Sequence, residues 1–168
     1  ASPFQDPEKS APSAVRAPLP ASRGMRGSTL NVPSPYATIQ AAVDAAAPSG
    51  DIIVVAAGSY PEAVTIDGKV LTIQGAGTGS SFITGAAGVT QFIVKITNSA
   101  VVDLSGFTID GTGKNLEYGV WAMAGTDGNI HNNVVKNVSY PGAAGLAVRR
   151  QDSQIDVIDN TVYGFGRV

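Results

Sequence analysis

The apolar positions of this chain fall into columns. From Phe92 to Val168, short β-type runs recur every 26 to 27 residues, separated by Gly, Asn, Asp and Ser. Aligned by that period, Leu104, Ile130 and Val157 make one column, and Ile109, Val135 and Val162 a second. Val94, Val120 and Leu146 make a third, and Ile96, Ala122 and Val148 a fourth. A period of this length without helical spacing marks a stacked solenoid, whose repeats bury their apolar faces against one another. Alternation within each run assigns the faces: where Val120 and Ala122 point in, Trp121 and Met123 point out. Lys95, Trp121 and Ala147 then share one outer column, and Thr97, Met123 and Arg149 the next.

Upstream the pattern changes once. Residues 36–47 read as a helix, with Ile39, Ala42, Val43 and Ala46 on one face. Ser34 and Pro35 supply its start signal, and Pro48-Ser49-Gly50 its stop. A solenoid must cover its terminal rung, because an open end exposes core and unpaired strand edges, and this helix is placed to do so. Strands follow at 51–57, 64–66, 70–73, 82–84 and 92–96, with turns at Gly58 to Glu62, Asp67-Gly68 and Gln74 to Gly77. Asn133 and Asn160, 27 residues apart at the same turn, predict a short asparagine ladder. An Asn amide donates to one neighbour and accepts from the other, and Asn tolerates left-handed backbone.

Residues 1–33 differ from the rest. Five of the ten prolines lie in the first 20 residues. Lys9, Arg16, Arg23 and Arg26 face only Asp6 and Glu8, which makes this stretch +2 while the remainder carries −4. Proline removes donors and favours extended backbone. The alternatives are a linker and an arm that docks on a partner through Phe4, Val15, Leu19, Met25 and Leu30.

Composition narrows the class. Charged residues are only 14% and glycines number 20, which suits a turn-rich all-β solenoid. A net charge of −2 argues against a nucleic-acid binder. With no cysteine there are neither disulfides nor thiolate metal sites. No apolar run approaches the length of a membrane span. The opening Ala-Ser-Pro fits a mature, exported protein or a trimmed chain. The expected location is therefore secreted or cell-surface.

The run YATIQAAVDAAAPSGDIIVVAAGSYPEAVTIDGKVLTIQGAGTGSSFITG resembles the amino-terminal cap and first coils of the right-handed parallel β-helix (pectin-lyase-like) superfamily. That group includes pectate lyases, pectin methylesterases and the bacterial periplasmic copper-site β-helix proteins. GNIHNNVVKNV and IDVIDNTVYGFG are similar to its generic repeat, so the resemblance covers residues 36–168. It implies an all-β, right-handed, single-stranded parallel β-helix over 34–168, capped by the helix at 36–47. Residues 52–168 make about four rungs, roughly 20 Å of axis at one strand spacing each. That is short beside the long sugar groove of the superfamily, and the scaffold itself hosts many functions.

Each enzymatic activity of the superfamily can be tested on the residues. Pectate lyases cluster acids around calcium and use an arginine base. Here Asp103, Asp127, Asp152, Asp156 and Asp159, with Arg149 and Arg150, read mostly as isolated turn residues, and calcium needs six to eight converging oxygens. AVRRQDSQIDV has a faint look of the pectin methylesterase Gln-Asp segment, but the Asp-Phe-x-Phe-Gly element has no counterpart, so nothing carries over to Gln151 and Asp152. The Asp-Asp pair and Gly-His-Gly of polygalacturonases are absent. His131, the single histidine, sits beside inward Ile130 and reads as an inert surface residue. Gly75 to Gly79 lacks the Lys-Ser/Thr of a phosphate loop. Asn137-Val138-Ser139 matches a glycosylation acceptor.

The chain therefore reads as non-enzymatic, with no cofactor or metal and no catalytic residue. An outward Trp on a strand suits a sugar ring or a protein interface. Trp121, Met123, Tyr118 and Arg149 form the candidate binding patch, which Tyr140 would extend and which the amino-terminal arm alternatively covers. The leading functional expectation is an extracellular structural module that self-associates end to end into a filament. Phe4, Val15, Leu19 and Leu30 of the arm would meet a carboxyl-terminal rung that leaves Val157, Val162 and Phe165 uncovered. The alternative is the amino-terminal piece of a carbohydrate-binding or polysaccharide-cleaving β-helix, which further coils beyond Val168 would favour.

Overall fold

The structure, a computed structural model, describes residues 27–148 and 153–164. In chain order the elements are Thr29–Val32 (β1), Ile39–Ala45 (α1), Ser49–Val55 (β2), Gly58–Tyr60 (β3), Val64–Asp67 (β4) and Val70–Gly75 (β5). Ser81–Ile83 (β6), Phe92–Thr97 (β7), Val101–Ser105 (β8), Thr108–Asp110 (β9) and Tyr118–Ala122 (β10) follow. The last are Asp127–His131 (β11), Val134–Lys136 (β12), Ala144–Val148 (β13), Gln154–Ile158 (β14) and Thr161–Tyr163 (β15). They form three parallel sheets of six, five and four strands, in the orders β1-β2-β5-β8-β11-β14, β15-β12-β9-β6-β3 and β13-β10-β7-β4. From β2 onward the chain visits the six-, five- and four-stranded sheets in strict rotation, which makes a parallel β-helix of about five turns.

All four apolar columns stand in register. Ile130 lies opposite Leu104 and Val157, and Val135 opposite Ile109 and Val162. Val120 lies opposite Val94 and Leu146, and Ala122 opposite Ile96 and Val148. Stacked at one strand spacing, these β-branched and aliphatic side chains fill the bore with Phe107, Ile53, Ile73 and Ile83, except in the last described coil, where Val157 and Val162 are exposed.

Several boundaries move. The coil starts one strand earlier than the sequence suggests, at β1, because Thr29–Val32 pairs with Ile52–Val55. Leu30, expected to anchor an arm on another molecule, is instead 4% exposed inside its own core. Phe4, Val15, Leu19, Met25 and Phe165 lie outside the described residues. The helix is shorter than 36–47 and starts at Thr38, whose side chain accepts from the Ala41 N–H at 3.0 Å. Its predicted inner face is correct, with Ile39, Ala42, Val43 and Ala46 buried. Ser49 and Gly50 do not merely stop the helix but open β2, and Gly58 to Tyr60, read as a turn, pairs with β6.

Polar side chains bolt α1 over the first coil. The Gln40 amide oxygen accepts from the Thr65 N–H at 2.7 Å, and its nitrogen donates to the Thr65 carbonyl at 3.2 Å. One carboxamide thus stands in for a neighbouring strand on the free edge of β4. Glu62 accepts from the Ile39 and Gln40 N–H groups at 2.9 and 2.8 Å, closing the amino end of the helix. The Lys69 ammonium donates to the carbonyls of Val43, Asp44 and Ala46, closing the other end. Buried Asp51 accepts from Ser28 and Ala47 at 2.6 and 2.7 Å, tying β1 and the helix exit to β2.

The asparagine ladder is present, with one change. The Asn133 amide nitrogen donates to the Asn160 side-chain oxygen at 3.2 Å and to the Leu104 carbonyl at 2.9 Å, while its oxygen accepts from the Phe107 N–H at 3.0 Å. Asn160 repeats the pattern one rung on, donating to the Ile130 carbonyl. The left-handed residue, however, is the one before each rung of the ladder. Gly106, Asn132 and Asp159 have φ of 78°, 52° and 52°. Glycine, Asn and Asp are the residues that enter this region at least cost.

Gln40→Leu should remove both bonds to Thr65 and leave a strand edge unpaired. The expected loss is about 1–3 kcal/mol. The urea midpoint, followed through the single tryptophan, reports it; an unmoved midpoint would show that the edge of β4 is held by something other than Gln40.

Candidate functional site

Strand alternation in the four-stranded sheet turns Lys95, Trp121 and Ala147 outward in one column, and Phe92, Tyr118 and Ala144 stand in another. The register brings three rings together. Tyr118 stacks on Trp121 with centroids 4.9 Å apart and planes at 17°, and Phe92 meets Trp121 at 6.4 Å and 51°. The Lys95 ammonium lies 5.2 Å from the Trp121 ring centroid and 5.6 Å from that of Phe92. All four side chains are half-buried. On the following strand, β13, the same columns hold only Ala144 and Ala147. The rings of β7 and β10 therefore end in a step, with two small residues at its foot. Offset aromatic pairs and a cation over a ring each contribute on the order of 1 kcal/mol, which makes the cluster rigid.

Of the four residues expected in this patch, Tyr118 and Trp121 meet. Met123 is half-buried just beyond the last residue of β10, no ring contact joins exposed Tyr140 to the cluster among the described residues, and Arg149 lies outside them. Phe92 and Lys95 complete the site. Phe92 precedes Tyr118 by 26 residues, so the same column rule that placed Lys95 beside Trp121 places it.

A second polar strip runs along the outer face of the six-stranded sheet. Asp103, Asn129 and Asp156 occupy one column, and Ser105, His131 and Ile158 the next. Asp103, Asp127 and Asp156 are thus strand residues rather than the isolated turn residues expected; Asp159 sits at a turn, and Asp152, with Arg150 and Gln151, lies outside the described residues. His131 is not solitary: its Nε2 lies 3.0 Å from Asp103 Oδ1, and its Nδ1 lies 2.9 Å from the Asn132 amide nitrogen. An Asn amide donating to Nδ1 leaves the proton on Nε2, which donates to Asp103. Both ring nitrogens are spent this way. Ser105 faces His131 in register, but no hydrogen bond joins them among the described residues. No group of three His, Asp or Glu residues that could hold a metal occurs among the described residues.

The third cluster lies where the five-stranded sheet ends. The Asp110 carboxylate accepts from the Thr112 N–H and hydroxyl at 2.9 and 2.6 Å and from the Asn137 amide at 2.9 Å, and it pairs with Lys136 at 3.2 Å. Burial pushes this carboxyl upward, but the hydrogen bonds from Thr112, Asn137 and Lys136 together outweigh it and hold it below the ordinary value of 3.8. Asn137, the glycosylation-like residue, has φ 57° and spends its amide on Asp110 and Thr112. In this fold it straps two coils together.

No protein family, curated protein or solved structure matches the chain.

Because the folded Asp110 carboxyl lies low, its contribution to stability is complete above the ordinary aspartate range and is lost as pH falls through the folded value. Between about pH 5 and pH 2 the native chain should therefore lose more stability than Asp110→Asn. Parallel slopes in pH-dependent urea titrations would rule this out.

Proposed function

We propose that this chain is a glycan-binding parallel β-helix module. The carrying observation is the Phe92–Trp121–Tyr118 cluster with Lys95 beside it, held on rigid strands above the step at Ala144 and Ala147. Aromatic rings fixed on a strand face offer apolar area to the C–H face of a sugar, and the Tyr hydroxyl and Lys ammonium offer polar contacts at its rim. Placement on strands rather than loops keeps the geometry without an ordering cost on binding. The likeness of residues 36–168 to the pectin-lyase-like superfamily supports the same class of ligand, as a resemblance of sequence pattern.

Trp121 is the single tryptophan, so its fluorescence reports directly on the site. Titration with a panel of soluble neutral and acidic polysaccharides should shift its emission for at least one member. Tyr118→Ala should weaken that binding about tenfold or more, with the thermal midpoint little changed. Affinity electrophoresis in the same panel gives an independent readout. A chain that neither shifts its emission nor slows in any gel is not a glycan binder.

End-to-end association is a second reading, and one observation favours it. Interior columns that are 0–1% exposed at Leu104, Ile130, Ile109 and Val135 reach 45% at Val157 and 41% at Val162 in the last described coil. Exposed core and free strand edges are a template for a further strand, which a following coil of the same protein or a second copy can supply. Among the described residues, α1 covers the amino end and Leu30 is committed to the core. Light scattering across a hundredfold concentration range should show a mass that rises with concentration; a constant monomer mass excludes the association.

A further inference from the structure

We infer that residues 1–26 dock on the outer face of the six-stranded sheet of their own chain. The exposed large apolar side chains among the described residues fall into two groups, apart from Tyr140. One is the last described coil. The other is Ile52, Val54, Val70 and Val101, which are 37–41% exposed. These four share one outer face. Val70 lies directly opposite Val101, while Ile52 and Val54 stand on β2 opposite Thr72 and Gln74 of β5. β-Branched side chains gathered on one sheet face, here with Thr72 and Gln74 between them, are a site for another chain segment.

The rim of the patch states the chemistry of its occupant. Toward the next coils, Asp127 lies opposite Val101, and the neighbouring column holds Asp103, Asn129 and Asp156. The face thus passes from apolar to acidic along the coil axis. The complementary partner is an extended chain that carries spaced apolar residues and positive charge. Residues 1–26 have that composition: Phe4, Val15, Leu19 and Met25 alternate with Lys9, Arg16, Arg23 and Arg26, against only Asp6 and Glu8. Five prolines favour the extended backbone such a face accepts, with less conformational entropy to lose on docking.

Connectivity puts the segment beside the patch. β1 is the edge strand of the same sheet, and the Ser28 N–H is bonded to Asp51 at its start. From β1 to β8 is three strand spacings, about 15 Å. Five extended residues cover that distance at about 3.3 Å each. Residues 15–26 can therefore cross the whole patch and bring their arginines to Asp103 and Asp127. The tether makes docking intramolecular, at an effective concentration in the millimolar range.

The chain has no cysteine, so Ala21→Cys accepts a single nitroxide label in the full chain. Paramagnetic broadening should reduce the amide signals of Ile52, Val70 and Val101 at least threefold relative to the reduced label. Val70→Lys with Val101→Lys should restore them. The labelled chain without those substitutions decides the question even where the double variant fails to fold. Broadening nowhere on the coil overturns the inference. So does broadening centred on Phe92 and Trp121 instead. Equal broadening of an unlabelled, isotope-enriched chain mixed with a labelled one also overturns it, because the occupant is then a second copy.

Discussion

A coil of parallel strands cannot close on itself, so the structure depends on how its first turn is covered. An uncovered turn presents apolar interior and one unpaired backbone edge from each sheet. Here α1 answers both problems. Ile39, Ala42 and Val43 lie over the bore, and the Gln40 carboxamide pairs with Thr65 as a strand residue would. The helix has seven residues and would be marginal alone. Its ends are completed from the coil: Glu62 takes its first N–H groups and Lys69 its last carbonyls. Cap and coil are therefore one cooperative unit, in which loss of either leaves polar groups of the other unpaired.

Past the cap, the same rule repeats turn by turn. Each inward side chain rests on its counterpart one rung away, and each corner needs a residue that enters left-handed backbone cheaply. Gly106, Asn132 and Asp159 supply that at one corner. The Asn133–Asn160 ladder beside it satisfies buried carbonyls and N–H groups that no strand reaches. Regular stacking has a consequence for the outer surface. Residues 26 apart are brought to one strand spacing, so Phe92 and Tyr118 become neighbours without any loop to order. A face made this way is built on strands rather than on loops.

The two outer faces use that regularity differently. On the four-stranded sheet it gathers rings and one cation above small residues. On the six-stranded sheet it grades β-branched side chains into carboxylates and amides, with His131 held between Asp103 and Asn132. That histidine is oriented as a base would be, yet both its nitrogens have partners, and among the described residues no nucleophile is bonded to it. Its geometry serves cohesion between coils more directly than chemistry.

Periodicity in the sequence by itself determined the solenoid, its four interior columns, the inner face of the helix and the asparagine ladder. These follow from local alternation and a constant repeat, which any residue obeys one rung at a time. The outward placement of Trp121 beside Lys95 was equally legible; the same 26-residue spacing carries Phe92, which the patch expected from sequence left out. What the tertiary structure decided lies where long-range pairing overrides local pattern. Thr29–Val32 looked like the end of a proline-rich arm, yet it is a strand, because β2 offers it an edge and the core accepts Leu30 and Val32. Thr38 rather than Ser34 caps the helix, because Glu62 fixes where its first N–H groups must point. The pairing of His131 with Asp103, and of Asp110 with Lys136 and Asn137, joins residues 26 to 28 apart through side-chain reach. A column alignment gives the neighbours, but only packing in three dimensions decides which of them share a proton or a charge.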